Sequence, residues 1–160
     1  MINTDIHSDG ANSYASEDDL SAFAQLRGIT LPENTVPLLI MAMDYLEGLI
    51  WAGVRAQPQQ PLSWPRRNVF LDEYELPADS VPKQVVTAQC MLAVEAIEGA
   101  LQTSVREPEV KTERVEGAVT MTYAVADGES FTPSYPALTA ILGDLACGRG
   151  FAINTYAERA

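Results

Sequence analysis

The residues of this chain best suited to chemistry are few and close together: Trp64-Pro65-Arg66-Arg67, preceded across a Gln/Pro loop by Trp51-Ala52-Gly53-Val54-Arg55. An indole beside two guanidiniums can stack on a flat ring while the cations bind phosphate or carboxylate oxygens. Arg66 and Arg67 are the only adjacent cations among the ten Lys and Arg of the chain. The same residues have a plainer use, in which Trp64 fills the core and the arginines cover acidic neighbours. A third use has Trp64, Arg66 and Arg67 at a subunit interface, with both arginines pairing with acids across the boundary.

Other chemistry is sparse. His7 is the single histidine and lies in a polar lead-in, which argues against a His-based general base or a Ser-His-Asp arrangement. No glycine-rich loop is followed by the Lys-Ser/Thr pair that cradles phosphates. Asp18-Asp19 and Asp72-Glu73 could bind Mg²⁺, but such pairs more commonly face water or begin a helix. Cys90 and Cys147 sit in Ala/Leu/Met surroundings, outside any Cys-x-x-Cys or Cys/His cluster, and read as small buried hydrophobes. The expectation is a protein that is not an enzyme, with no cofactor and no metal.

The charge narrows the partners. The 160 residues carry a formal charge of −12. Nucleic-acid affinity comes mainly from Lys and Arg on phosphates, so this surface repels DNA unless its few cations gather on one face. With 47% hydrophobic and 20% charged residues the composition is that of one ordinary globular domain. No apolar run approaches the ~20 residues that span a bilayer. The polar, acidic start (Met1-Ile2-Asn3-Thr4-Asp5) is unlike a signal peptide and suggests a cytosolic product.

The elements that must position these residues are mostly helical. Residues 1–13 read as a loose arm. Ser16 followed by Glu17, Asp18 and Asp19 is a helix start, with Leu20, Phe23, Ala24 and Leu26 as its apolar stripe and Gly28 near its end. A second helix begins near Thr35, with Pro37 in its first turn; Leu39, Ala42, Met43, Leu46 and Ile50 form one stripe, and Leu38, Met41 and Tyr45 lie beside it. A helix so nearly apolar all round is central to a core or covered by a neighbouring subunit. Ala56-Gln57-Pro58-Gln59-Gln60-Pro61 reads as an exposed, flexible loop, Trp64-Pro65 as extended and Asp72 to Asp79 as an acidic turn. A third helix runs from about Pro82 to Leu101, a rod of ~30 Å. Val110 to Val115 and Val119 to Val125 alternate with period two, a hairpin across Glu116-Gly117 that is marginal without outside support. Tyr135-Pro136 opens a last helix bearing Leu138, Ile141, Leu142 and Leu145.

Six of these pieces, in this order, resemble a known family. Ala11-Asn12-Ser13-Tyr14, Asp44-Tyr45-Leu46, Trp51-Ala52-Gly53-Val54-Arg55, Trp64-Pro65-Arg66, Val110-Lys111-Thr112-Glu113-Arg114-Val115 and Tyr135-Pro136-Ala137-Leu138 are similar to the layout of tailed-phage head-to-tail connectors, a family often labelled "DnaT-like". The resemblance implies a structural virion protein of the head-tail neck, assembled in the host cytoplasm. It implies a twelve-fold ring under the portal protein, capped by a tail-side connector or tail-terminator, with double-stranded DNA passing through the lumen unbound. The label itself implies a second possibility, a single-stranded DNA-binding accessory of replication.

The fold expected is mainly α: a small bundle of about four helices with a β-hairpin and an extended C-terminal tail. Its domain spans residues 14–148, with the hairpin at about 109–125. The tail, residues 149–160, lies beyond the resemblance. Its Phe151, Ile153 and Tyr156 are sizeable apolar groups after two glycines, suited to dock on the portal or a neighbouring subunit, or to fold back on their own domain.

Overall fold

The computed structural model describes residues 1–99, 101, 110–115, 119–123 and 135–146. The chain forms two compact units, one from residues 1–101 and 135–160, the other from 102–134. The fold is mainly helical, as the periodicity predicts.

In the larger unit α1 (Glu17–Gln25) starts as the sequence indicates. The Ser16 hydroxyl accepts from the Asp19 amide at 3.1 Å, while the Asp19 carboxylate accepts from the Ser16 amide at 2.8 Å, a reciprocal cap with an acid facing the positive end of the helix. Leu20 and Ala24 are buried, but Leu26, expected in the stripe, follows the helix and is exposed. α2 (Val36–Glu47) buries Leu38, Leu39, Ala42, Met43, Tyr45 and Leu46, so its apolar circumference makes it a core helix of its own unit. Ile50 falls beyond its end and is exposed.

α3 (Lys83–Glu95) packs against α1, α2 and the last helix, α4 (Pro136–Leu142). Its buried Ala88 and Ala93 let neighbouring backbones approach. It is shorter than expected. After Glu95 the chain tightens into a 3-10 turn, Ala96–Glu98, and Gly99 adopts φ 145°, a region glycine tolerates. Thirteen residues give a rod of about 20 Å.

Between α2 and α3 lie two ribbons. β1 (Val54–Arg55) pairs antiparallel with β2 (Arg66–Arg67), and β3 (Phe70–Leu71) pairs with β4 (Tyr74–Glu75). The stretch expected as an acidic turn from Asp72 onward thus begins as a hairpin. Asp72 and Glu73 form its bend with φ of 50° and 69°, the left-handed pair that matches strand twist. In the smaller unit β5 (Val110–Val115) and β6 (Val119–Tyr123) pair antiparallel, with a register shift between Val110 and Thr112. That is the hairpin read from alternation.

Residues 1–13, expected to be loose, are tied to the core. Asn3 and Asn12 exchange hydrogen bonds, amide to Oδ1 at 2.8 Å and amide to carbonyl at 3.0 Å. Asn12 also donates to the Met1 carbonyl at 3.2 Å, and Ala11 and Ser13 are buried. Among the described residues no helix is long and apolar enough to cross a membrane.

Candidate functional site

Three polar centres, one buried and two half-buried, hold the region around the tryptophans. The first is Gln89 of α3, with no exposed surface. Its Oε1 accepts from the amides of Tyr14 and Ala15, both at 2.8 Å, and its Nε2 donates to Ser13 Oγ at 2.7 Å and to the Leu39 carbonyl at 3.0 Å. All four hydrogen-bonding positions of the amide are filled, the condition under which a buried amide is tolerated. The Ala11-to-Tyr14 segment is thereby latched to α2 and α3.

The second centre is the Glu47 carboxylate at the end of α2. Tyr14 Oη donates to its Oε1 at 2.7 Å, the Ser63 amide at 3.0 Å, and Ser63 Oγ donates to Oε2 at 2.9 Å. Tyr14 Oη in turn accepts from the Trp64 amide at 3.0 Å. Burial, and then the charge of Glu47, push the Tyr14 phenol far above its ordinary range, so it stays protonated and donates.

The third is Arg66. Its Nε donates to the Ala52 carbonyl at 2.6 Å, its Nη1 to Ser63 at 3.1 Å, and its Nη2 to Gly53 at 2.8 Å and Trp51 at 3.4 Å. The planar fork staples the two ends of the intervening loop, a geometry a point charge cannot reproduce. The indoles it joins meet edge to face, centroids 5.7 Å apart at 83°. Trp51 Nε1 donates to the Leu46 carbonyl at 3.2 Å, and Trp51 bridges to Ala146. Tyr45 meets Tyr135 edge-on at 5.4 Å, joining the Asp-Tyr-Leu and Tyr-Pro segments.

The loop from Ala56 to Pro61, expected to be flexible, is braced by one of its own side chains. Gln60 Oε1 accepts from the Gln57 amide at 2.9 Å, and its Nε2 donates to the carbonyls of Leu62 at 2.7 Å and Pro65 at 3.0 Å. The Trp64–Pro65 peptide bond is cis.

These placements sort the residues singled out by the sequence. Trp64, 1% exposed, lies in the core and cannot stack on an external ring. Arg66 is spent on backbone carbonyls. Arg67 alone of that motif is open to solvent, and its side chain donates to the Ala56 carbonyl. Pairing of β1 with β2 sets Arg55 opposite Arg66 and Val54 opposite Arg67. Arg55 is exposed, donates to the Gln60 carbonyl at 3.3 Å and stands 4.0 Å from Glu47. Three of the ten cations therefore share one ribbon. By contrast, Arg27 lies over the Phe23 ring, 3.6 Å from its centroid.

β2 runs through Asn68-Val69 into β3, so the ribbon continues into a hairpin bearing Phe70 and Tyr74, 56% and 78% exposed. Cross-strand partners share a face. Phe70 pairs with Glu75 and Tyr74 with Leu71, so the hairpin offers one aromatic ring on each side. The sequence reading quoted Arg55 within its motif without giving it a role, and missed Phe70 and Tyr74. The apolar-polar swing of Val69-Phe70-Leu71 and Tyr74-Glu75-Leu76 about Asp72-Glu73 was the available signal. Phe151, Ile153, Tyr156 and Cys147 lie outside the described residues.

Comparison with known proteins gives one match: a family model described as "Putative DnaT-like ssDNA binding protein" spans residues 1–160. Neither the curated proteins nor the solved structures contain a match. The family match overturns the expectation of a head-to-tail connector in the virion neck and favours the second possibility, a single-stranded DNA-binding protein. Net charge, which counted against DNA in the sequence, does not record that β-pairing brings Arg55, Arg66 and Arg67 onto one ribbon. The portal, tail and ring partners rested on the connector reading alone. With the match covering every residue, the chain belongs to the DnaT-like ssDNA-binding family.

Proposed function

We propose that the chain binds single-stranded DNA on the surface around the β1–β2 ribbon and the β3–β4 hairpin. Pairing of Val54 with Arg67 and of Arg55 with Arg66 sets Arg55 and Arg67 on opposite faces of the ribbon, so each holds a phosphate from its own side, and unpaired bases stack on Phe70 or Tyr74, one on each side of the hairpin. The observation that carries this reading is the antiparallel pairing of Val54-Arg55 with Arg66-Arg67, which brings distant cations together and leads directly into two exposed rings. The family description supports the same ligand.

The acids bound the strength of the interaction. Asp72, Glu73 and Glu75 lie on the same hairpin as the rings, and all three are exposed. Backbone contacts are accordingly few, and stacking carries a large share of the affinity. Each stacked base contributes about 1–3 kcal/mol, comparable to what the two cations supply.

Fluorescence anisotropy of a labelled oligonucleotide at low salt tests the assignment. Wild-type protein is expected to bind, R55E/R67E to lose binding, and F70A/Y74A to weaken it by at least tenfold while the circular dichroism of all three stays alike. Undiminished binding by R55E/R67E, or no binding by wild type at the lowest salt, rejects the proposed surface.

A further inference from the structure

We propose that the Glu47 carboxylate is a built-in competitor for Arg55, a fixed anion with which DNA phosphate must share the guanidinium, and that it holds down the affinity of the strand-binding surface. This inference rests on the single-strand reading above and adds an internal restraint to that site.

Glu47 is the last residue of α2, where unpaired carbonyls make the helix end partly negative, and no basic residue stands in that last turn. The helix that carries this carboxylate therefore opposes its charge. Its three hydrogen bonds do not require the charge either. Oε1 accepts from Tyr14 Oη and from the Ser63 amide, and Oε2 accepts from Ser63 Oγ. A glutamine would meet all three, its Oε1 accepting from the first two and its Nε2 donating to a Ser63 hydroxyl turned about its C–O bond. What the charge itself serves is the cation beside it. Arg55 Nη2 lies 4.0 Å from Glu47 Oε2.

The same hydrogen bonds fix where the charge sits. Tyr14 and Ser63 are buried, and the Glu47 side chain is 27% exposed, so the carboxylate is not free to swing away when an anion arrives. Arg55 reaches it from β1, and its Nη1 donates to the Gln60 carbonyl at 3.3 Å. The guanidinium is thus held between a carbonyl and a carboxylate. Its five N–H donors exceed what these two neighbours take, so a phosphate can still bind from solvent. That phosphate then shares one cation with a like charge that stays in place. An ion pair as exposed as this one changes an equilibrium by at most about fivefold, which sets the scale of the restraint.

Anisotropy of a labelled oligothymidine at low salt tests the restraint as a cycle of wild type, Glu47→Gln, Arg55→Met and the double variant. Glu47→Gln is expected to bind about threefold more tightly than wild type. In the Arg55→Met background the same change should alter affinity by less than about 1.5-fold, because the contested cation is gone. No gain from Glu47→Gln, or a loss, overturns the competition. An equal gain in both backgrounds also overturns it, since the carboxylate would then act as a general field and not through Arg55. Either result leaves the strand-binding surface standing. No binding by any of the four proteins rejects the surface and the competition together. If Glu47→Gln does not fold, as judged by circular dichroism, the native carboxylate decides. Its carboxyl-carbon resonance should move when the oligonucleotide is added to wild type but not to Arg55→Met, and no movement in wild type overturns the proposal.

Discussion

At the scale of single residues, the side chains that looked available for partners are those that hold the fold. Replacing Gln89 with Leu keeps the volume but strands the amides of Tyr14 and Ala15 in the core and takes one partner each from the Ser13 hydroxyl and the Leu39 carbonyl. We expect a loss of about 3 kcal/mol or more, seen as a lower urea midpoint at unchanged slope. Arg66→Lys keeps the charge yet cannot span four carbonyls, and should cost about 2 kcal/mol by the same assay. Alkaline stability follows from Tyr14 and Cys90. Burial raises both, with the Cys90 thiol at about 11 against an ordinary 9.0 and the Tyr14 phenol higher still. The native state keeps protons that the unfolded chain gives up, so the stabilisation is complete below about pH 9 and fades as pH rises past it. In Tyr14→Phe the decline above pH 10 should be shallower in denaturant titrations; an unchanged slope would mean that Tyr14 ionises freely in the native state. Trp64 as a core residue was legible in the sequence as one of several uses. The role of Arg66 was not, because its acceptors are backbone carbonyls, which every residue possesses and no side-chain pattern marks.

At the scale of elements, legibility followed the length of the apolar repeat. α1 was readable from its cap, α2 from its long apolar stripe, and the β5–β6 hairpin because alternation persists over both strands. α3 was read too long, since Ala96 and Ile97 continue the apolar pattern although Gly99 releases the backbone. The two-residue strands β1 to β4 are too short for any period to register, and they build the candidate site. Gly53 shows how tightly they are fixed. It adopts φ 65°, and a Cβ there would strike the Arg67 carbonyl and lie 2.6 Å from Val69 Cγ2. Gly53→Ala therefore combines a strained backbone with a backbone clash, together about 2–4 kcal/mol. Thermal unfolding should show a large fall in midpoint, and DNA affinity should fall with it because Arg55 and Arg67 lose register. A variant with wild-type midpoint would show that the β1–β2 ribbon shifts at little cost.

At the scale of the whole molecule, the sequence gives the total charge and folding decides its distribution. An acidic protein can hold a polyanion only through a local concentration of cations, and here that concentration is small. Single-strand binding releases counterions in proportion to the phosphates neutralised, with a log–log salt slope of about −0.7 per phosphate. With Arg66 committed to carbonyls, Arg55 and Arg67 leave two contacts, so the slope should be about −1.4. Arg67→Ala should bring it to about −0.7, whereas Arg66→Ala should leave the slope alone while lowering stability. Stacking is nearly independent of salt, so the affinity extrapolated to high salt should vanish in F70A/Y74A and persist in Arg67→Ala. A wild-type slope steeper than about −3 would require at least four cations at the strand. The ribbon does not supply four, and DNA would then be held elsewhere on the chain.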